Sequence, residues 1–294
     1  MHAPAEHLFT VDVEDYFQVN AFEGTVSRSG WDSFTTRVER NVDVILELLE
    51  RKRSRGTFFT LGWVADRRPQ VVRRIAAAGH EIASHGWWHR RVTQMSREEF
   101  REDLRSSRSL LEDVAGQRVF GFRAPSFSIL PGMEWAFDLM LEEGYGYDSS
   151  LFPIRRPDYG YPGVNPAPHY IKRPGGTLLE LPPATMTLAG LRLPAAGGGY
   201  FRQFPYALFH NAFARLTRAG VTGVFYIHPW EVDPEQPRLP VGFLSRVRHY
   251  TGLERTLPRL ERILSDFRFT SVVRRFGVEA GSPSSFEWSK ALAG

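Results

Sequence analysis

The chain has 294 residues, 42% hydrophobic and 24% charged, with a formal net charge of +4 at pH 7, which fits a folded protein with a sizeable core and excludes a disordered or fibrous chain. Its arginines are spread out, as in 51–55 and 97–108, so they read as solvated helix faces and no nucleic-acid patch is expected. Cysteine is absent, which excludes disulfides and thiolate ligands and leaves His, Asp and Glu to hold any metal.

In chain order, Met1-His-Ala-Pro-Ala-Glu-His shows no cationic flank before an apolar segment. No apolar run approaches the roughly 18 to 20 residues of a membrane span, so neither export nor a span is expected. Residues 8–12 read as a buried strand, and 36–52 as a helix with apolar Val38, Val42, Ile45, Leu48 and Leu49 on one face. A strand at 56–61 precedes a helix over 65–78 closed by Gly79, and a third strand covers 80–84. Ser96 with Glu99 three positions on opens a helix to 115, followed by a strand at 119–122 and a helix over 131–143. The Pro, Gly and Tyr-rich stretch 152–176 is long for a connection and reads as functional surface. Strands at 178–181, 222–227 and 267–273 alternate with helices at 206–219 and 257–264. No internal repeat or low-complexity linker interrupts this, so one domain is expected over 1–294, with 229–294 as a distinctive C-terminal part.

Four apolar runs end in an ionisable residue: Asp12, His85, Arg123 and His228. Strands separated by helices form parallel sheets, and a barrel gathers more strand ends at one face than an open sheet does. An incomplete α/β barrel of about seven strands is therefore expected. His85 and His89, four residues apart after a strand, can converge on one cation, although two histidines could also fall together in a polar loop. Gly86 stands where a helical H-E-x-x-H motif would need glutamate, which argues against a zinc peptidase.

These same residues carry a family resemblance. Thr10-Val-Asp12-Val-Glu14-Asp15, Ser84-His85-Gly-Trp-Trp-His89, Phe122-Arg123-Ala-Pro125-Ser-Phe127, Tyr147-Asp148-Ser-Ser and Val224-Phe-Tyr-Ile227-His228 resemble, in order, the five motifs of the carbohydrate esterase family 4 polysaccharide deacetylases, the NodB-homology group. The resemblance implies a distorted, incomplete (β/α)7 barrel. Three later stretches, 228–234, 248–253 and 259–264, are similar to an exopolysaccharide-locus, exosortase-associated subgroup.

What the resemblance implies is a metal-dependent hydrolase that removes N-acetyl groups from acetamido sugars of a glycan or exopolysaccharide precursor. Hydrolysis of another linear or cyclic amide, or silent saccharide binding, are the alternatives. One divalent cation is implied, zinc first, with Co2+, Ni2+ or Mn2+ as alternatives, held by His85, His89 and one carboxylate. Members often carry two adjacent aspartates where this chain has Asp12 and Val13. Strand alternation favours Glu14 as the ligand, while Asp15 would serve if the strand stops at Val13 and the chain turns. Asp12 is the candidate general base, Arg123 its partner, His228 the acid for the leaving amine and Asp148 the group that orients His228; each could instead be an ordinary salt bridge, cap or hydrogen-bonded side chain.

Ser126 is expected to offer a backbone N–H to the oxyanion. Trp88, Phe127, Tyr200 and Trp230, with Trp87 and Phe201, have flat faces that suit sugar rings as readily as ordinary packing. Gly197-Gly-Gly-Tyr-Phe-Arg202 lacks dinucleotide-loop spacing and opens no helix after a strand; it reads as a mobile lip. His80 reads as structural. The expected partner is an acetylated saccharide, and the expected location is cytoplasmic, peripheral to the inner membrane, with a lipid-linked glycan or soluble precursor as substrate.

Overall fold

A computed structural model describes residues 5–156, 159–188 and 190–277. Its strands are β1 (His7–Val13), β2 (Thr57–Thr60), β3 (Glu81–Ser84), β4 (Gly121–Phe122), β5 (Tyr147–Asp148), β6 (His169–Arg173), β7 (Gly176–Glu180), β8 (Thr185–Leu188), β9 (Leu191–Pro194), β10 (Val224–Ile227) and β11 (Phe269–Thr270). Its helices are α1 (Val38–Arg51), α2 (Gly62–Arg67), α3 (Pro69–Ala77), α4 (Arg97–Ala115), α5 (Trp135–Glu142), α6 (Gly198–Gln203), α7 (Tyr206–Arg218), α8 (Phe243–Tyr250), α9 (Thr256–Asp266) and α10 (Val272–Phe276).

Crossover helices bring the chain back to the same end of the sheet, so consecutive strands run parallel. Seven of them pair in the order β10-β1-β2-β3-β4-β5-β7, parallel throughout. The antiparallel β6 extends one edge beyond β7, and β11 joins the start of β1. Among the described residues, no continuous ladder closes the ring. Isolated bridges from Pro183 to Val224 and from Gly197 to Tyr226 lie along the far side of the gap. The result is the incomplete seven-stranded barrel expected from the sequence. Alternation along the strands sends Phe9, Val11, Phe58, Ile82 and Phe225 outward onto apolar helix faces such as Val42, Ile45, Val72 and Leu104, while Leu8, Phe59, Ala83, Leu179 and Val224 pack on the opposite face.

Local signals placed several boundaries correctly. Ser96 Oγ accepts from the Glu99 N–H and Glu99 Oε2 from the Ser96 N–H, at 3.2 and 2.8 Å, so the predicted capping box opens α4. Other expectations need correction. The helix expected over 65–78 is two, α2 and α3, because Pro69 has no N–H to give and pushes Arg68 out of helical geometry, to φ −136° and ψ 56°. The stretch 152–176 contains β6, and the β8–β9 hairpin, α6 and α8 were not anticipated. The last expected strand is only β11, after which the chain turns into α10.

Candidate metal centre and active site

Parallel pairing delivers the ends of β1, β3, β4 and β10 to one face of the sheet, and with them Asp12, His85, Arg123 and His228. β1 ends at Val13, and the Glu14 N–H turns back to the Asp12 carbonyl at 3.0 Å. The strand thus stops before Glu14, so alternation is not what positions it. The turn still brings its carboxylate to the histidines. Glu14, His85 and His89 are buried and offer ligand atoms that all lie within 4.8 Å of one another. His89 Nε2 faces Glu14 Oε2 at 2.8 Å.

The protonation pattern of this cluster suits a cation. His85 Nδ1 lies 2.8 Å from the Arg123 carbonyl, an acceptor only, so Nδ1 carries the hydrogen and the Nε2 lone pair is left to bind. Burial holds the His85 imidazole down at about 4, hence neutral at pH 7. On Glu14, burial works to raise the pKa, but His89, His228 and His85 outweigh it and keep the carboxyl well below the usual range. Glu14 Oε2 meets only the His89 Nε2 edge and forms no well-aligned hydrogen bond, a cost that a bound metal would offset at the carboxylate. Two imidazoles and one carboxylate form the donor set of an open zinc-type site.

Asp15 lies elsewhere. Its Oδ2 accepts from Thr36 Oγ1 at 2.6 Å and from the Arg37 and Val38 N–H groups at 2.8 and 3.1 Å. It therefore caps α1 from a distance, since Arg37 provides no side-chain cap of its own. The expectation of Asp15 as a metal ligand is corrected by this engagement.

Asp12 Oδ1 accepts from Arg123 Nη1 at 2.6 Å, and Arg123 is wholly buried, also donating to Thr10 Oγ1, the Ser149 carbonyl and Ser149 Oγ. With Oδ1 committed, Oδ2 is the oxygen nearer His228 Nε2, at 3.9 Å. His228 Nε2 is also 3.7 Å from Glu14 Oε1. The buried Asp12, Glu14, His85 and His89 and the partly exposed His228 thus lie close together.

The partner of His228 is a residue that sequence reasoning missed. Its Nδ1 bonds Glu231 Oε1 at 2.7 Å, and Glu231 Oε2 accepts from Arg202 Nε at 2.7 Å, both residues being buried. Burial alone would lower the His228 pKa, but the Glu231 hydrogen bond and the charges of Glu14, Glu231 and Asp12 raise it to about 9. The sequence contained a signal: in His228-Pro-Trp-Glu231 the acid stands at the capping-box position, and its Oε1 also accepts from the His228 N–H at 3.1 Å. Asp148, expected in this role, instead accepts from Ser150 Oγ at 2.5 Å and neighbours Glu180 across the β5–β7 pairing. Burial pushes Asp148 up to about 6, and burial together with the Asp148 charge pushes Glu180 well above its ordinary value.

The expected sugar platforms divide. Trp88 is 38% exposed and Tyr200 half-buried, its hydroxyl 3.0 Å from that of Tyr159. Phe127 is packed inside against Phe152, Tyr226 and the Arg123 guanidinium. Trp230 is also buried, stacked between His228 and His249 with centroids 5.1 and 4.0 Å away, and its Nε1 donates to Glu14 Oε1 at 3.1 Å. Both are corrected from saccharide contacts to packed supports. Ser126 sits in left-handed geometry at φ 55° and its Oγ accepts from Asn20 Nδ2 at 2.5 Å. The glycine lip is not a lip: it opens α6, following β9, and a Cβ on Gly197 would lie 1.8 Å from the Tyr226 carbonyl oxygen. Arg202, in the same helix, pairs with Glu231. His80, read as structural, accepts from the Gly56 N–H at Nδ1.

Residues 29–135 match the family model described as Polysaccharide deacetylase. Over that stretch, about a third of its length, the chain is similar to the polysaccharide deacetylase family. A second model, described as Domain of unknown function (DUF3473), matches residues 149–276. The chain is similar to the peptidoglycan-N-acetylglucosamine deacetylase of Bacillus cereus, 32% identical over 31% of this chain and 34% of that protein. It is also similar to the chitooligosaccharide deacetylase of Sinorhizobium fredii, 28% identical over 41% and 54% of the two chains. The match therefore spans about a third to a half of those relatives' own length. Among solved structures, a Mycobacterium smegmatis protein assigned to the polysaccharide deacetylases superposes with a TM-score of 0.60 at 21% identity, covering 93% of this chain and 92% of the other. An allantoinase, Puue, gives the same score at 20% identity, covering 92% and 88%. These two likenesses show the fold alone. Among the described residues, no helix is long and apolar enough to cross a membrane.

Proposed function

We propose that this chain is a metal-dependent N-deacetylase of acetamido sugars in a glycan or its precursor. The observation that carries the reading is the convergence of a Glu14-His85-His89 donor set with a buried Asp12-Arg123 pair and the Glu231-backed His228. Glu14, His85 and His89 would hold one divalent cation, zinc by the chemistry of its ligands, and that ion would polarise the acetamide carbonyl as a Lewis acid. Asp12, held by Arg123, accepts the proton of the attacking water as its oxygen bonds to the carbonyl carbon. Protonated His228 gives its Nε2 proton to the departing amine as the C–N bond breaks, yielding acetate and the free amino sugar. Glu231 keeps Nδ1 hydrogen-bonded, so Nε2 is the nitrogen turned to the reaction. Trp88, exposed beside the histidine motif, supplies a flat face for a neighbouring sugar.

The relatives named as deacetylases of peptidoglycan N-acetylglucosamine and of chitooligosaccharides support this substrate class. The test is acetate release from chitooligosaccharides and acetylated peptidoglycan fragments by zinc-loaded protein, with allantoin as a cyclic-amide control. Release from the glycans that a chelator stops is the expected result. Cleavage of allantoin alone, or release of acetate by no acetylated glycan despite bound metal, overturns the reading.

A further inference from the structure

The segment running from Gln236 to Tyr250 is anchored at both ends and leaves its middle outward. At the start, Gln236 donates to the Trp230 carbonyl at 2.7 Å and its Oε1 meets His249 Nε2 at 2.6 Å. At the end, His249 stacks on Trp230 at 4.0 Å and the Tyr250 hydroxyl accepts from the Leu239 N–H at 2.9 Å. Between these anchors, Phe243 and Leu244 are 68% and 69% exposed, and Val247 38%. Together they form a contiguous exposed apolar cluster on one helix, a feature that is often functional on a soluble protein.

Their arrangement on α8 is ordered. At roughly 100° per residue, Phe243, Val247 and Leu244 share an arc of about 100°, and Arg246 and Arg248 flank that arc on its two sides. The buried His249 lies on the opposite face. Residues 236–253 contain three arginines, Arg238, Arg246 and Arg248, and no acidic residue. The nearest carboxylates along the chain, Glu235 and Glu254, face Arg40 and Arg255.

We propose that α8 and the turn leading into it form a docking element for an anionic lipid bilayer surface, with Phe243, Leu244 and Val247 entering the interface and Arg238, Arg246 and Arg248 meeting acidic headgroups. An apolar arc bordered by arginines, whose stems can lie along the acyl boundary while their heads stay in water, is the pattern of a helix that lies in a membrane interface. A second copy of the chain fits less well, because a two-fold contact would set this arginine-bordered helix face against itself. A glycan fits less well too, since Leu244 and Val247 offer neither flat rings nor hydrogen bonds to a sugar.

The test is cosedimentation of the purified full chain with vesicles containing about a third phosphatidylglycerol in phosphatidylcholine, against vesicles of phosphatidylcholine alone. Binding is expected only to the anionic vesicles, and it should weaken as salt rises. Phe243→Ser with Leu244→Ser should lower the bound fraction about tenfold or more. Arg246→Gln and Arg248→Gln should each lower affinity roughly fivefold. All four positions are exposed, so unchanged thermal unfolding is expected and separates lost docking from lost fold. Equal binding to both vesicle types, binding that survives the paired serine substitution, or a dimer in sedimentation equilibrium that the same pair disperses would each overturn the proposal.

Discussion

The proposed metal half and the proposed acid half of the site differ in how they are assembled. His85 and His89 lie just past one strand end, four residues apart, and need one further carboxylate, Glu14, from the turn after β1, two strands away. His228 is supported by Glu231 three residues on, by Arg202 from α6, and by the Trp230 and His249 rings, so its surroundings are drawn from residues spread over 202–249. The first half lies largely within the segment that matches the deacetylase family and the second within the domain of unknown function. That C-terminal segment is therefore part of the site, and Trp230 joins the halves through its bond to Glu14.

The sharpest way to separate the halves is to remove a ligand. His85→Ala should reduce bound metal from about one ion per chain to a small fraction and abolish turnover, whereas Asp12→Asn should keep the metal and lower kcat by roughly 10² to 10⁴-fold. Metal analysis beside acetate-release kinetics reads both, and loss of the ion from Asp12→Asn would move Asp12 into the ligand set.

A smaller effect tests the acid half. Glu231→Gln should leave metal content unchanged and reduce kcat about 10 to 100-fold, by analogy with the loss of an orienting partner elsewhere. Asp148→Asn, away from His228, should change kcat by less than about threefold on the same scale. Reversed sizes in steady-state kinetics would restore Asp148 as the orienting group.

The smallest expected effect is on stability. The Glu180 pKa is raised in the fold above its ordinary 4.5, so the folded state binds the extra proton. Its contribution is fully present below about pH 4.5 and is lost as pH rises toward the folded value, at up to about 1.4 kcal/mol per pH unit. Glu180→Gln keeps a donor for Asp148 and should flatten this slope between about pH 5 and 7 in urea unfolding. An unchanged slope would show that the pair does not take up the proton.

Periodicity and strand-end chemistry made the parallel barrel legible, together with Asp12, His85, His89, Arg123 and His228 at one face, because alternating strands and helices force parallel pairing whatever the packing details. Local chemistry also reached the capping box of Ser96 and Glu99. The sequence favoured Glu14 over Asp15 through a strand alternation that in fact stops at Val13, and the turn after Val13 is what brings Glu14 to the histidines and leaves Asp15 to cap α1. The i, i+3 spacing of His228 and Glu231 was a local signal for their contact, but the burial of Glu231 against Arg202 of α6 is decided by the fold. Such buried charges are satisfied by partners distant in the chain, and a linear pattern fixes which faces are apolar but not which distant polar groups meet within them.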